Sequence, residues 1–144
     1  MILVVCTGNT CRSPMAAALL QKELRARGCD VEVQSAGLAA DGSPASPQAV
    51  AVMKEWDIDL SAHRSRSLTA ELCAQADQIC VMTPGHAQIL RQAGIPAEKI
   101  FVLGDGIPDP YGGDIACYRA TRDAIAQGVC RFLEENGLVN IAQN

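Results

Sequence analysis

The stretch that decides the fold is Ile2-Leu3-Val4-Val5-Cys6-Thr7-Gly8-Asn9-Thr10-Cys11-Arg12-Ser13. It begins with a short apolar run, mostly β-branched, which predicts a strand buried on both faces. Pro14 and the apolar residues after it predict a helix over residues 13–27, with Gly28 as its stop. A buried strand therefore leads through a short polar loop directly into a helix.

The rest of the chain alternates between strand and helix patterns. We predict further strands at residues 31–35, 78–82 and 99–103, and helices at 46–56, 67–76, 84–93 and 115–136, the last closed at Asn136-Gly137. The segments 36–47 and 104–114 are rich in glycine, proline and other turn formers and are predicted loops. This alternation predicts an α/β fold with three layers, a four-stranded parallel sheet with helices on both faces. We expect residues 1–144 to form one domain, large enough to fold without a disulfide or metal.

The charge and composition narrow the possible partners. The net charge is −4 and aromatic residues make up 3% of the chain, which argues against a nucleic-acid binder and against base-stacking surfaces. The N-terminal residues lack the pattern of a signal peptide, and no apolar run reaches the ~18–20 residues that span a membrane. We therefore expect a cytoplasmic protein without a membrane or nucleic-acid partner, and a monomer.

Seven cysteines raise the question of which one is reactive, because an odd number cannot pair completely. In a reducing compartment cysteines serve as small apolar residues, metal ligands or nucleophiles. Five of them are interpreted as small apolar residues, with Cys80 the most deeply buried: Cys29, Cys73, Cys80, Cys117 and Cys130. No cysteine or histidine spacing resembles a zinc site, so no metal is expected. His86 is predicted to lie on a helix surface.

The loop from Cys6 to Ser13 has the composition of an anion-binding site. At the carboxyl end of a parallel strand, successive backbone N–H groups and the following helix N-terminus attract negative charge. The same groups, together with Arg12, should stabilise a thiolate at Cys6, and a thiolate beneath a phosphate-shaped cradle is a nucleophile for phosphoryl transfer. Arg12 can hold two phosphoryl oxygens as a planar fork, and the Ser13 hydroxyl is placed to donate to the sulfur.

This sequence resembles the low-molecular-weight protein tyrosine phosphatase family. The stretch VCTGNTCRSPMA of this chain closely matches the N-terminal signature of that family. The resemblance covers nearly the whole chain. It implies a phosphocysteine intermediate on Cys6, hydrolysed by water without a metal or organic cofactor, with Arg12 as the phosphate clamp. The phosphate-binding loop would comprise Thr7, Gly8, Asn9, Thr10, Cys11, Arg12 and Ser13. It also implies a supporting hydrogen-bond network of Asn9, Ser13, Ser35 and His63.

The second half of the chemistry requires a proton donor for the leaving group. Asp109-Pro110-Tyr111 lies in the loop after the fourth predicted strand, which also reaches the carboxyl end of the sheet. Asp109 is therefore expected to act as general acid and then as general base, with Tyr111 walling the substrate. Asp105 is a nearby competitor, and the family pattern selects Asp109.

Two departures from the tyrosine-directed members bear on the substrate. This chain has Thr10 where those members usually carry an aliphatic residue, and Gly112-Gly113 where a second aromatic tends to follow. A polar residue suits a guanidino group better than a phenyl ring. The combination resembles the protein arginine phosphatase branch, so phosphoarginine is favoured and phosphotyrosine is the alternative.

Two other classes and one regulatory feature are also considered. A thioredoxin-coupled arsenate reductase would need two further cysteines, and Cys73 and Cys80 have a superficially suitable spacing. A phosphate-binding module without catalysis would keep its biological role in a Cys6→Ser variant, and the complete set of Cys6, Arg12 and Asp109 argues against it. Finally, the resemblance supports a reversible Cys6–Cys11 disulfide that protects the nucleophile under oxidation.

Overall fold

The computed structural model describes residues 1–136 as a parallel sheet flanked by helices. The strands are β1 (Ile2–Cys6), β2 (Val33–Gly37), β3 (Gln78–Val81) and β4 (Ile100–Val102). The helices are α1 (Arg12–Ala26), α2 (Pro47–Lys54), α3 (Ala70–Gln75), α4 (Pro84–Gln92) and α5 (Ile115–Glu135). The predicted α/β fold is confirmed. The predicted helix stop at Gly137 lies outside the described residues.

The strand order β2-β1-β3-β4 determines where a ligand can bind. The chain runs from β1 to β2 on one side, and then crosses to β3 on the other side of β1. The connections that leave β1 and β3 therefore diverge above their carboxyl ends and leave a crevice, the usual ligand position in such sheets. Cys6 is the last residue of β1 and lies at this point.

Alternate residues of β1 enter two separate apolar cores, because successive side chains of a strand point to opposite faces. Ile2 and Val4 join the larger core, formed with α1, α2 and α5. Leu3 and Val5 join the smaller core, formed with α3 and α4. Both faces of β1 are thus covered, which explains why its sequence is continuously apolar rather than alternating.

The second strand differs from its prediction by two residues. It was predicted at 31–35 and occupies Val33–Gly37, paired with β1 from Ile2↔Val33 to Cys6↔Gly37. Pairing with β1 sets this register and brings the small Gly37 beside the loop that follows β1. A Cβ atom at Gly37 would lie 2.6 Å from the Thr7 carbonyl oxygen, so only glycine fits there.

A charged cluster fastens α2 to α5. The buried Arg122 guanidinium lies 4.0 Å from the centre of the Trp56 ring and donates to the Val52 carbonyl at 2.9 Å. It also pairs with Glu55 at 2.7 Å. Hydrogen bonds from Arg119 and Arg122 lower the pKa of Glu55 to about 2, so this carboxylate is charged at neutral pH. The cluster fixes α2, and the N–H of its capping residue Ser46 donates to the Thr10 carbonyl in the loop after β1 at 2.9 Å.

The loop between β4 and α5 is anchored at both ends. Its Ile107 N–H donates to the Met82 carbonyl at 2.5 Å, and Asp114 caps α5 by accepting from the Cys117 N–H at 2.9 Å. The loop is thereby held over the carboxyl end of the sheet, as predicted. Among residues 1–136, none of the helices combines the length and apolarity needed to cross a bilayer.

Candidate active site

The sulfur of Cys6 lies at the bottom of the crevice, and the residue as a whole is 2% exposed. Its Sγ is 2.9 Å from the Ser13 hydroxyl, as predicted, and accepts from the backbone N–H of Asn9 at 3.2 Å. Both partners can donate to a negatively charged sulfur, and α1 begins at Arg12 with its N-terminus toward the loop. The arrangement is suited to a thiolate.

Asn9 holds the loop in its shape. Its backbone adopts φ 57°, in the left-handed region that asparagine tolerates better than most residues. Its side-chain amide donates to Ser13 Oγ at 2.7 Å and to Ser35 Oγ at 3.0 Å, and its Oδ1 accepts from the Arg66 N–H at 3.0 Å. One completely buried side chain thus joins the loop to α1, to β2 and to the segment before α3.

His63 also contacts Asn9, through its backbone carbonyl. Its ring Nε2–H donates to the Asn9 carbonyl at 2.7 Å. Ser35 and His63, which the family resemblance implied as supports, therefore both contact Asn9 directly.

Arg12 and Asp109 meet at the rim of the crevice although they lie on distant parts of the chain. The Arg12 guanidinium is buried, donates from Nη1 to the Ile107 carbonyl at 3.0 Å, and presents Nη2 to Asp109 Oδ2 at 3.6 Å. The Asp109 side chain is 52% exposed, and its Oδ1 accepts from the Tyr111 N–H at 3.0 Å. The competitor Asp105 is instead 98% exposed and faces Arg131 at 3.7 Å.

The crevice is a pocket into which the predicted residues converge. Its lining is Cys6, Thr7, Gly8, Asn9, Thr10, Cys11, Arg12, Asp109 and Tyr111. Backbone N–H groups, a guanidinium and a carboxylate surround a buried sulfur, which is a combination able to bind a phosphoryl group, attack it and protonate a leaving group.

Cys11 has a separate set of partners behind the pocket. Its Sγ lies 3.3 Å from the Tyr118 hydroxyl and 3.4 Å from the Ser46 hydroxyl. Burial, and secondarily the bond with Cys11, raise the pKa of Tyr118 to about 12, so the phenol is neutral. Because Ser46 also caps α2, this sulfur joins the loop to α2 and α5.

The prediction for His86 was wrong. The residue is only 6% exposed, and its Nε2 lies 2.9 Å from the Thr7 hydroxyl. The sequence placed it in the first turn of α4, but the direction of that turn depends on how α4 packs against the sheet. The one available signal was its position shortly after β3, the neighbour of β1.

The remaining cysteines occupy several different environments. Cys73 and Cys80 are buried in the two cores on opposite faces of the sheet, which does not suit a disulfide relay between them. Burial raises the pKa of both thiols, most strongly for Cys80. Cys29 is buried as expected, whereas Cys117 and Cys130 on α5 are exposed, contrary to their interpretation as apolar residues. Within residues 1–136, no group of three or more potential ligands is arranged to hold a metal.

The fold and the cradle together are those of a cysteine-based phosphatase. Residues 1–139 match the family model described as low molecular weight phosphotyrosine protein phosphatase. The chain belongs to this family of enzymes.

Relatives within the family carry two kinds of name. The chain is 47% identical over 144 residues to a protein-arginine-phosphatase of Geobacillus stearothermophilus, covering 93% of this chain and 94% of the relative. It is 43% identical over 135 residues to EpsP of Ralstonia nicotianae, a probable low molecular weight protein-tyrosine-phosphatase, covering 89% and 90%. A solved structure of a YwlE arginine phosphatase variant with a phosphorylated active-site serine is similar at a TM-score of 0.84 and 39% identity, covering 92% of this chain and 95% of the other.

The Asn9 network generates a stability prediction. Asn9→Ala removes three side-chain hydrogen bonds and leaves an alanine at positive φ, so we expect a loss of about 3 kcal/mol in the free energy of unfolding. Asn9→Gly loses the same bonds without the backbone strain and should recover about 1 kcal/mol. Urea unfolding of the three proteins measures both differences. An Asn9→Ala variant as stable as the parent would contradict the assignment of Asn9 as the support of the loop.

Proposed function

We propose that this chain is a protein-arginine phosphatase that acts through a phosphocysteine on Cys6. The observation that carries the proposal is the lining of the pocket, which includes both Thr10 and Asp109. Both are polar, and Asp109 can meet the positive charge of a departing guanidinium. The 47% identity to a protein-arginine-phosphatase supports the same substrate.

In the first step, the Cys6 thiolate attacks the phosphorus atom while the cradle N–H groups and Arg12 bind the equatorial oxygens. A sulfur–phosphorus bond forms, and the phosphorus–nitrogen bond of phosphoarginine breaks. Asp109, as the carboxylic acid, transfers its proton to the departing nitrogen, and arginine leaves as guanidinium. The Ser13 hydroxyl, 2.9 Å from the sulfur, stabilises its negative charge before the attack and again when the thiolate is released.

In the second step, the Asp109 carboxylate takes a proton from water, and the water oxygen attacks the phosphorus atom of phosphocysteine. The sulfur–phosphorus bond breaks, and Cys6 and inorganic phosphate are released. The carboxylate that gave a proton in the first step thereby regains one in the second. The phosphorylated serine in the related YwlE variant supports an intermediate on the residue that corresponds to Cys6.

One aromatic side chain lies among the described residues that line the pocket. Tyr111 is 81% exposed there, and Gly112 and Gly113 follow it. A Cβ atom at Gly113 would lie 2.8 Å from both the Pro110 carbonyl oxygen and the Cys117 sulfur, so this position excludes a side chain. An extended guanidino group needs no aromatic sandwich, whereas a phenyl ring would gain from one.

We propose the following location, oligomeric state and partners for the enzyme. The substrates are phosphorylated proteins in the cytoplasm, and the chain acts as a monomeric catalytic domain over residues 1–144, without nucleic acid, membrane or cofactor. The relatives named as protein phosphatases support the class of substrate.

Matched phosphopeptides test the substrate. We expect kcat/KM for a phosphoarginine peptide to exceed that for the same peptide with phosphotyrosine. Cys6→Ser should reduce turnover by at least ~10³-fold and Asp109→Asn by ~10²-fold or more. Asp105→Asn, which changes an exposed acid of the same loop, is the matched control and should stay within about 2-fold. Faster cleavage of the phosphotyrosine peptide would mean that phosphotyrosine, and not phosphoarginine, is the substrate. Turnover that survives in Cys6→Ser would exclude the mechanism through a phosphocysteine.

A second test concerns Thr10. Thr10→Ile replaces a polar residue of the pocket lining with an apolar one, so the preference should shift toward phosphotyrosine by ~10-fold in the ratio of kcat/KM values. The ratio within one protein is insensitive to the amount of active enzyme. An unchanged ratio would remove Thr10 as a specificity residue.

We also infer that Cys6 and Cys11 form a reversible disulfide on oxidation. The two cysteines belong to one tight loop, and both residues contribute to the lining of the pocket. Cys11 would have to leave Tyr118 and Ser46, which hold it by weak sulfur hydrogen bonds at 3.3 and 3.4 Å. The disulfide would consume one peroxide, whose oxygens leave as water, and would keep Cys6 from irreversible oxidation.

Inactivation by hydrogen peroxide, followed by reduction, tests whether the Cys6–Cys11 disulfide forms. The parent enzyme should recover its activity after dithiothreitol, and Cys11→Ser should recover only a minor part. Cys117→Ser, which removes an exposed thiol on α5, is the control and should behave as the parent. Inactivation of the parent that dithiothreitol cannot reverse would exclude the disulfide.

A further inference from the structure

His86 is a buried imidazole that reaches the phosphate cradle from the side opposite to His63. It lies in the first turn of α4, where its N–H donates to the capping Thr83 hydroxyl at 3.1 Å. Its ring then extends to the hydroxyl of Thr7, 79 residues away in the chain, at 2.9 Å. The helix cap and the ring contact together attach the start of α4 to the loop.

Thr7 is the cradle residue that follows Cys6 and lines the pocket. Its carbonyl accepts from the Ala39 N–H at 2.9 Å, and Gly37 packs against the same carbonyl. The backbone of Thr7 is thus held from the β2 side. The direction of its hydroxyl is decided from the other side, by the imidazole of His86.

The surroundings of His86 favour its neutral form. Burial and the positive charge of Arg12 lower its pKa from the ordinary 6.5, and Asp109 opposes them with a smaller effect. Its Nδ1 is buried without a hydrogen-bond partner among the described residues. A second proton would therefore create a buried N–H without an acceptor, next to a buried guanidinium. A neutral ring carries one N–H.

We propose that neutral His86 is a positioning residue for phosphoryl binding, acting through Thr7. With its proton on Nε2, the imidazole donates to Thr7 Oγ1, and the threonine O–H is left free to donate to a phosphoryl oxygen in the cradle. His86 itself does not touch the substrate. The proposal rests on the cradle binding phosphate, as the proposed function requires, but it does not depend on which phosphorylated side chain is cleaved.

The expected effect is on phosphate affinity. His86→Phe keeps a planar ring and removes both nitrogens, so we expect the inhibition constant of inorganic phosphate and the KM of the substrate to rise ~5- to 10-fold, while kcat changes less than about 2-fold. His86→Gln places an amide N–H near the position of Nε2 and should recover most of this loss.

A double-mutant cycle with Thr7→Val separates positioning from general damage. If His86 acts through the Thr7 hydroxyl, His86→Phe should weaken phosphate binding by less than about 2-fold in the Thr7→Val background. Leu90→Ala is the control for α4, because Leu90 is buried in the core beneath the same helix. It should lower the melting temperature and leave the phosphate inhibition constant unchanged.

The NMR signals of the histidine ring nitrogens provide a measurement that needs no His86 variant. The chain has only two histidines, so a His63→Gln sample assigns both rings. Inorganic phosphate should shift the His86 signals in the parent protein, and the shift should be much smaller in Thr7→Val. Equal loss of affinity for His86→Phe in both backgrounds, or a His86 signal that phosphate does not shift, would overturn the proposal. A parent protein that binds no phosphate would instead overturn the proposed function, and this proposal with it.

Discussion

The site depends on the hydrogen bonds that hold a buried sulfur among donors. Cys6 Sγ is contacted by the Ser13 hydroxyl and by the Asn9 N–H, and both donors belong to the loop that we propose to bind a phosphoryl group. Such a loop has to point its N–H groups inward, which leaves few of them available for ordinary secondary structure. Its shape must therefore be imposed by side chains from outside.

The groups that hold the loop come from several separate elements of the fold. Ser35 on β2, the segment around Arg66 and His63 converge on Asn9. On the other flank, His86 on α4 contacts Thr7. The two histidines thus contact the loop at two different residues, Asn9 and Thr7. The surrounding helices and strands serve as a frame that is rigid enough to keep buried polar groups in register.

Arg12 and Asp109 come together only because the sheet is parallel. Arg12 leaves the carboxyl end of β1, and Asp109 follows β4, two strands away in the sheet. Their contact at 3.6 Å places the proposed phosphate clamp beside the proposed proton donor. Around them, a threonine, a single tyrosine and two glycines shape the mouth of the pocket. This mouth, rather than the cradle beneath it, is where members of one phosphatase family can differ in substrate.

The sequence by itself was sufficient for the features that are local. The strand, loop and helix that carry Cys6, Arg12 and Ser13 are contiguous, and the alternation of elements led to the parallel sheet and to the end of it where Asp109 lies. Tertiary structure alone decided the position of His86, because helix periodicity does not say which neighbour a side chain near a helix start will meet. It also decided the register of β2, which follows from pairing with β1 rather than from local propensity. The exposure of Cys117 and Cys130 likewise depends on which face of α5 packs against α1 and α2, a property of the assembled layers.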